Sequence, residues 1–316
     1  MSDKKIIAIV GATGAQGGGL ARAILDDPES EFSVRAITRN PDSEKARGLA
    51  ERGAEVVKGD VDDLESMKQA FDGAYGAFCV TSFWEYLSPE REKEQARTLA
   101  EAAKAAGLQH VIWSTLEDTR EWLPLEDDRM PVLMGSYNVP HYDAKGESDH
   151  VFTDLGLPVT MLRTSFYWDN LIYFGMGPAK GPDGNLYLNL PMGEKKLPGI
   201  AAEDIGKAAY GIFKRGEEFI GKEVAIAGGH LTGEEMASTL SSVLGEEITY
   251  NAVPVDVYRS FDFPGAEDLG NMFQFKQDFE EKYCGARDLE ATRDINPSLQ
   301  SFEKWAEKNK ENIPLP

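Results

Sequence analysis

The chain has 316 residues, and 33 Lys and Arg against 54 Asp and Glu leave a formal net charge of −21 at pH 7. That length is enough to bury a sizeable core in one large domain or two smaller ones. So acidic a chain argues against a direct grip on nucleic acid or an anionic membrane, because both need a basic face.

Cys79 and Cys284 belong to no CxxC or His-rich pattern, so no metal site is expected and both thiols read as small apolar side chains in a reducing compartment. Met1-Ser2-Asp3-Lys4-Lys5 runs straight into a strand with no apolar leader, and no apolar run reaches the roughly 18 residues that span a bilayer. A cytoplasmic protein without membrane contact is expected.

In chain order, Ile6-Ile7-Ala8-Ile9-Val10 predicts a strand buried on both faces, followed by glycines and a helix over 15–26. Further strands are predicted at 33–38, 55–58, 77–80, 110–113 and 158–162, with helices near 43–52, 63–71, 90–106 and 142–155 between them. Strands that alternate with helices in this way make a Rossmann-type, doubly wound parallel α/β sheet whose strand carboxyl ends share one ligand-binding edge. Beyond residue 165 the period is lost. Segment 166–200 reads as loop with a short hairpin, and helices follow near 203–214, 233–244, 265–282 and 297–310, with strands near 223–227 and 247–252. The division expected is a dinucleotide-binding domain over 1–165 and a smaller α+β lobe over 166–316 for substrate or partner, with some exchange of chain between them.

Gly11, Gly14 and Gly17 in Gly11-Ala12-Thr13-Gly14-Ala15-Gln16-Gly17 form a GxxGxxG turn directly after the first strand. In that setting the first glycine allows the tight turn, the second lets a pyrophosphate approach the backbone, and the third lets the helix pack close to the sheet. The phosphate charge then rests on the free N–H groups of the helix N-terminus. Gly18 and Gly19 stand where a Walker loop would carry Lys and Ser or Thr, which excludes a P-loop nucleotidase.

The second strand ends in Thr38-Arg39-Asn40 and lacks the carboxylate that would hold an NAD ribose, whereas Arg39 can fork onto a 2′-phosphate; NADP(H) is the cofactor expected. Asp60 reads either as an acceptor for the adenine amino group or as a helix cap. Thr81 follows the fourth strand, in place to line ribose and pyrophosphate, and Ser114-Thr115 follows the fifth. His141 and Lys145 share a helix face at i, i+4, with Lys145 suited to the nicotinamide ribose and His141 to proton exchange. Phe166 and Tyr167 follow the sixth strand and suit a nicotinamide face or a core cluster, whereas Trp168 reads as core.

Taken together, GATGAQG, TRN, GDVDD, HxxxK, LRTSFYWDNL and Ile200-Ala201-Ala202-Glu203-Asp204-Ile205-Gly206 resemble the NmrA-like family of the atypical short-chain dehydrogenase/reductases, across nearly the whole chain. The resemblance implies that Gly11, Thr13, Gly14, Gln16 and Gly17 form the phosphate loop, that Arg39 holds the 2′-phosphate and that Asp60 lies near adenine. It further implies that Lys145 reaches the nicotinamide ribose, flanked by Phe166 and Tyr167. Classical members of the superfamily place a proton-donating Tyr four residues before the Lys. That position is His141 here, and Tyr142 is turned about 100° away on a helix. The missing Tyr favours an NADP(H)-binding redox sensor or regulator with weak or no turnover and a protein partner. The alternative is an NADPH-dependent reductase of a quinone, enone or similar small molecule. A homodimer is the default assembly.

Overall fold

Strands apolar on both faces need helices on both sides of their sheet, and the chain supplies them alternately. The computed structural model describes residues 4–316, so most of the Met1–Lys5 stretch, where no leader is expected, lies outside the described residues. The first half runs β1 (Lys5–Val10), α1 (Ala15–Leu25), β2 (Phe32–Thr38), α2 (Glu44–Glu51), β3 (Glu55–Lys58), α3 (Leu64–Phe71), β4 (Gly76–Cys79), α4 (Phe83–Tyr86), α5 (Pro89–Ala106), β5 (His110–Thr115), α6 (Pro140–Asp154) and β6 (Val159–Arg163). Then come β7 (Phe166–Tyr167), α7 (Asn170–Tyr173), β8 (Ala179–Lys180), β9 (Leu186–Leu190), β10 (Leu197–Ile200), α8 (Ala202–Arg215), β11 (Glu223–Ala225) and β12 (Gly229–Leu231). The chain closes with α9 (Gly233–Leu244), β13 (Ile248–Ala252), α10 (Val255–Arg259), α11 (Ala266–Asp278), α12 (Glu280–Gly285), α13 (Leu289–Ile295) and α14 (Phe302–Asn309).

Two compact units result. One holds the residues up to Asp118 with His141–Thr164 and Glu203–Val224; the other holds Thr119–Pro140, Ser165–Ala202 and Ala225–Pro316. In the first, a Rossmann-like sheet has the order β3-β2-β1-β4-β5-β6-β11. The pairings among β1 to β6 are all parallel, as the alternating pattern predicts. Strand β11 adds a seventh member beside β6. Strand order turns back between β1 and β4, which opens a crevice beyond their carboxyl ends.

One face of this sheet is sealed by α3, α5 and α6. Ala96, Leu99, Ala100 and Ala103 of α5 are all buried, and the Trp113 ring of β5 stacks on Phe152 of α6 at 4.8 Å between centroids. Helix α5 starts where the Ser88 hydroxyl accepts from Arg91 N–H ahead of Pro89, and it stops at Gly107 with φ +65°. His110 is fully buried in β5, and burial pulls its pKa down to about 4. Its Nε2 lies 2.9 Å from the Thr160 hydroxyl, which itself donates to the Phe219 carbonyl at 2.8 Å. Thr160 is therefore the acceptor, and the neutral ring carries its proton on Nε2.

The second unit departs from the loop-and-hairpin expectation for 166–200. The hairpin is there as antiparallel β8 and β9, but β7 and β10 also form, with β10 lying between β7 and β12 in a separate small sheet, while β13 joins β9 in parallel. The single helix expected over 265–282 breaks at Phe279 into α11 and α12, where Phe279 and Phe275 both pack on Trp122. Trp168 is core, as read, against Phe302 and Trp305. Among the described residues no helix is long and apolar enough to cross a membrane.

Glycine sets how closely α1 lies to its neighbours. A Cβ on Gly19 would fall 2.5 Å from the Glu203 carbonyl oxygen, and one on Gly206 2.1 Å from the Leu20 nitrogen, so α1 and α8 meet backbone to backbone. Gly206→Ala should therefore cost about 1–3 kcal/mol from overpacking. Gly48 of α2 meets nothing within 4 Å. Gly48→Ala should instead stabilise by about 0.5–1 kcal/mol, the usual helix-interior difference. Urea unfolding of both variants checks the pair of signs, and a neutral Gly206→Ala would contradict the close approach.

Candidate functional site

The glycine turn Gly11–Gly17 follows β1 at the crevice between β1 and β4. Gly11 has φ +65°, a left-handed conformation that favours glycine. Gly14 is the N-cap of α1, and no side chain caps the helix. The first turn carries no acidic residue, in a chain with 54 of them. A Cβ on Gly17 would sit 2.6 Å from the Gly11 carbonyl oxygen, so only glycine lets the helix start this close to the strand. An uncapped helix N-terminus with exposed Gly11, Gly14 and Ala15 fits a pyrophosphate, since N–H groups and helix dipole face the same open side. Thr13 is half-buried in the turn. The Ser114 hydroxyl at the end of β5 donates to Gln16 Oε1 at 2.7 Å and so ties this strand to the loop.

One residue past β2, Arg39 is exposed, and its guanidinium forks onto a carboxylate. Nη1 lies 2.6 Å from Glu85 Oε1, Nη2 lies 3.1 Å from Glu85 Oε2, and Nη1 also donates to the Tyr86 hydroxyl at 3.3 Å. The pair holds the Arg39 pKa up and the Glu85 pKa down. Asp60 caps no helix. Its carboxylate accepts from Asp62 N–H within the loop, and Asp63 caps α3.

Farther along the same edge, Lys145 and His141 do share a face of α6. The Lys145 ammonium is 2.5 Å from Glu92 Oε1, donates to the Thr81 hydroxyl at 2.7 Å and to the Thr81 carbonyl at 3.3 Å, and lies 5.2 Å from the Trp113 ring centroid. Thr81 in turn donates to Glu92 at 2.5 Å. Thr81 and Glu92 are buried, and the Lys145 side chain is 12% exposed. His141 is buried beside Trp84, Phe83 and Tyr142, with ring centroids at 4.8, 5.9 and 4.9 Å.

Sequence reasoning missed three carboxylates here. Glu92 carries a usable signal, because it keeps phase with the buried Ala96, Leu99 and Ala103 of α5 and so stands at a core position. Asp149 continues the His141–Lys145 stripe by one more turn. Glu85 has no such signal, since four-residue α4 is too short to show a period. In the second unit, Phe166 of β7 is buried 6.1 Å from the Phe273 ring and 5.8 Å from the Lys276 ammonium, while Tyr167 is half-buried.

The NmrA-like family model matches residues 3–306. The chain belongs to the NmrA-like family. Among its relatives is the NmrA-like family domain-containing oxidoreductase FrzB of a Cladobotryum species, 30% identical over 90% of this chain and 88% of the relative. Among solved structures, NmrA, a negative transcriptional regulator, is 25% identical with a TM-score of 0.78 over 96% of this chain and 95% of its own. Triphenylmethane reductase of a Citrobacter species, solved with NADP(H), shares the fold at 20% identity and a TM-score of 0.75, over 96% of this chain and 99% of its own. The similar proteins thus include a protein named as an oxidoreductase and one named as a transcriptional regulator.

Asp149 gives a test of local electrostatics. Its Oδ1 accepts from the Trp113 indole at 2.9 Å and from the Thr115 hydroxyl at 2.6 Å, yet burial outweighs these bonds and raises its pKa from 3.8 to about 7. Between those two values the folded chain holds a proton that the unfolded chain has lost, so this group's contribution to stability falls as pH rises through the window. Asp149→Asn should flatten that fall when urea midpoints are compared at pH 5 and pH 8. An unchanged slope would place the carboxyl in a more polar setting than its neighbours allow.

Proposed function

We propose that this chain is an NADP(H)-binding oxidoreductase that reduces a small unsaturated acceptor of the quinone or enone kind. The observation that carries the reading is the buried Thr81–Glu92–Lys145 cluster at the same sheet edge as the uncapped N-terminus of α1. Burying a lysine and a glutamate together costs desolvation that an apolar pair would avoid, so such a pair is a poor device for stability alone. A role for the ammonium at this edge accounts for it.

Gly11, Thr13, Gly14, Gln16 and Gly17 would hold the pyrophosphate, and Arg39 the 2′-phosphate. Asp60 would lie at the adenine end. When bound, the cofactor supplies the hydride. Glu92 and Thr81 fix the Lys145 ammonium so that it can meet the ribose hydroxyls without searching rotamers. His141, one turn earlier on the same face, stands in the position of the missing Tyr and exchanges the proton. Relatives named as oxidoreductases at this level of similarity support turnover over a purely regulatory role.

A second reading, a sensor that binds NADP(H) and signals to a protein partner, draws on one feature. His141 is buried, so the candidate proton donor is closed to solvent. The two readings separate in an NADPH oxidation assay against quinones, enones and aldehydes. The reductase reading expects turnover of about 1 s⁻¹ or more on some acceptor. It also expects Lys145→Met/Glu92→Leu, which removes the buried pair together, to lower turnover by roughly 10²-fold or more while the chain stays folded. Saturable NADPH binding with no oxidation on any acceptor would favour the sensor.

A further inference from the structure

NAD-selective folds of this type place an Asp or Glu about 20 residues beyond the glycines, at the end of the second strand, where it binds the ribose 2′-hydroxyl. This chain has Arg39 there and no acid on the strand. The structure nevertheless brings a carboxylate to that point from another element. Glu85, the third residue of α4, lies on both guanidinium nitrogens of Arg39, at 2.6 and 3.1 Å.

The contact is built into its surroundings. The Tyr86 hydroxyl donates to Glu85 Oε1 at 2.9 Å and accepts from Arg39 Nη1 at 3.3 Å, so three groups close a ring. Beneath them the Arg91 guanidinium stacks 3.6 Å from the Tyr86 ring centroid and pairs with Asp62 at 2.6 Å, and Gln95 donates to the same Asp62 at 2.8 Å. Helix α4 ends at Leu87 in a left-handed conformation with φ +52°, rare for a residue with a side chain. Arg39 and Glu85 remain exposed enough to exchange partners, at 57% and 37%.

We propose that Glu85 is the residue that sets the selectivity between NADP(H) and NAD(H), acting against Arg39. The inference rests on the dinucleotide site proposed above and adds a determinant to it. A 2′-phosphate binds Arg39 through the bidentate fork that Glu85 now occupies, so its arrival must displace the carboxylate. The displaced Glu85 is left without its cation and next to a second anion. A 2′-hydroxyl makes no such demand: the Arg39–Glu85 pair stays intact, and Glu85 is an acceptor for the hydroxyl. One carboxylate therefore weakens NADP(H) and leaves NAD(H) untouched or helped. The chain is thereby expected to bind both nucleotides with a smaller preference for the phosphorylated one than Arg39 alone would give.

The test is a calorimetric titration of NADP⁺, NAD⁺, 2′,5′-ADP and 5′-ADP into the wild type, Glu85→Gln, Glu85→Ala and the charge-matched control Glu303→Gln, with thermal unfolding run on each. Both Glu85 variants should tighten NADP⁺ and 2′,5′-ADP by about fivefold, the worth of one well-formed exposed pair. NAD⁺ and 5′-ADP should stay level or weaken, and Glu303→Gln should move nothing. A folded Glu85→Gln and Glu85→Ala with the wild-type ratio of NADP⁺ to NAD⁺ affinity would overturn the role of Glu85 and leave the cofactor site standing. Failure of the wild type to bind either dinucleotide would overturn the site and this inference together.

Discussion

The arrangement at the sheet edge depends on how closely α1 approaches the strand before it and the helix beside it. Gly17 lies against the Gly11 carbonyl, Gly19 against Glu203 and Gly206 against Leu20, at separations that a methyl group would not fit. Packing this close fixes where α1 begins, and that beginning is the proposed phosphate site, with no capping side chain and no acid in the first turn. The resemblance in Ile200 to Gly206 finds its physical cause here, because Glu203 and Gly206 supply the surface on which α1 rests.

Charge gives the edge its second constraint. The chain as a whole repels anions, so a nucleotide site has to be made locally. Cations along the edge are held by acids: Arg39 by Glu85, Arg91 by Asp62 and Lys145 by Glu92. The pairs differ in burial, and burial decides what each can do. Arg39 and Glu85 are exposed, so the guanidinium can trade its carboxylate for another anion at modest cost. Glu92 is 1% exposed, so the Lys145 pair is locked and acts as a fixed point for whatever meets the ammonium.

Much of this was legible in the sequence because it is local or periodic. Doubly buried strands, the glycine turn after β1 and the i, i+4 spacing of His141 and Lys145 each follow from a short window of residues. What escaped depends on contacts distant in sequence or on elements too short to show a period. Four-residue α4 carries Glu85 to an arginine 46 positions away. Strands β7 and β10 pair Phe166 with Gly199, and neither has enough residues to alternate. Helix α11 stops at Phe279 because of aromatic packing on Trp122, which no cap or proline announces. Glu92 is the instructive case: its phase with Ala96, Leu99 and Ala103 marked a carboxylate at a core position, and a buried carboxylate requires a partner.

The central claim is that the N-terminus of α1 holds the pyrophosphate of a dinucleotide. Amide hydrogen exchange over residues 11–17, measured with and without saturating NADPH, tests it at the atoms concerned. The account predicts strong slowing across this loop on binding, with the amides of α14 unaffected. NADPH binding that leaves exchange at residues 11–17 unchanged would contradict it.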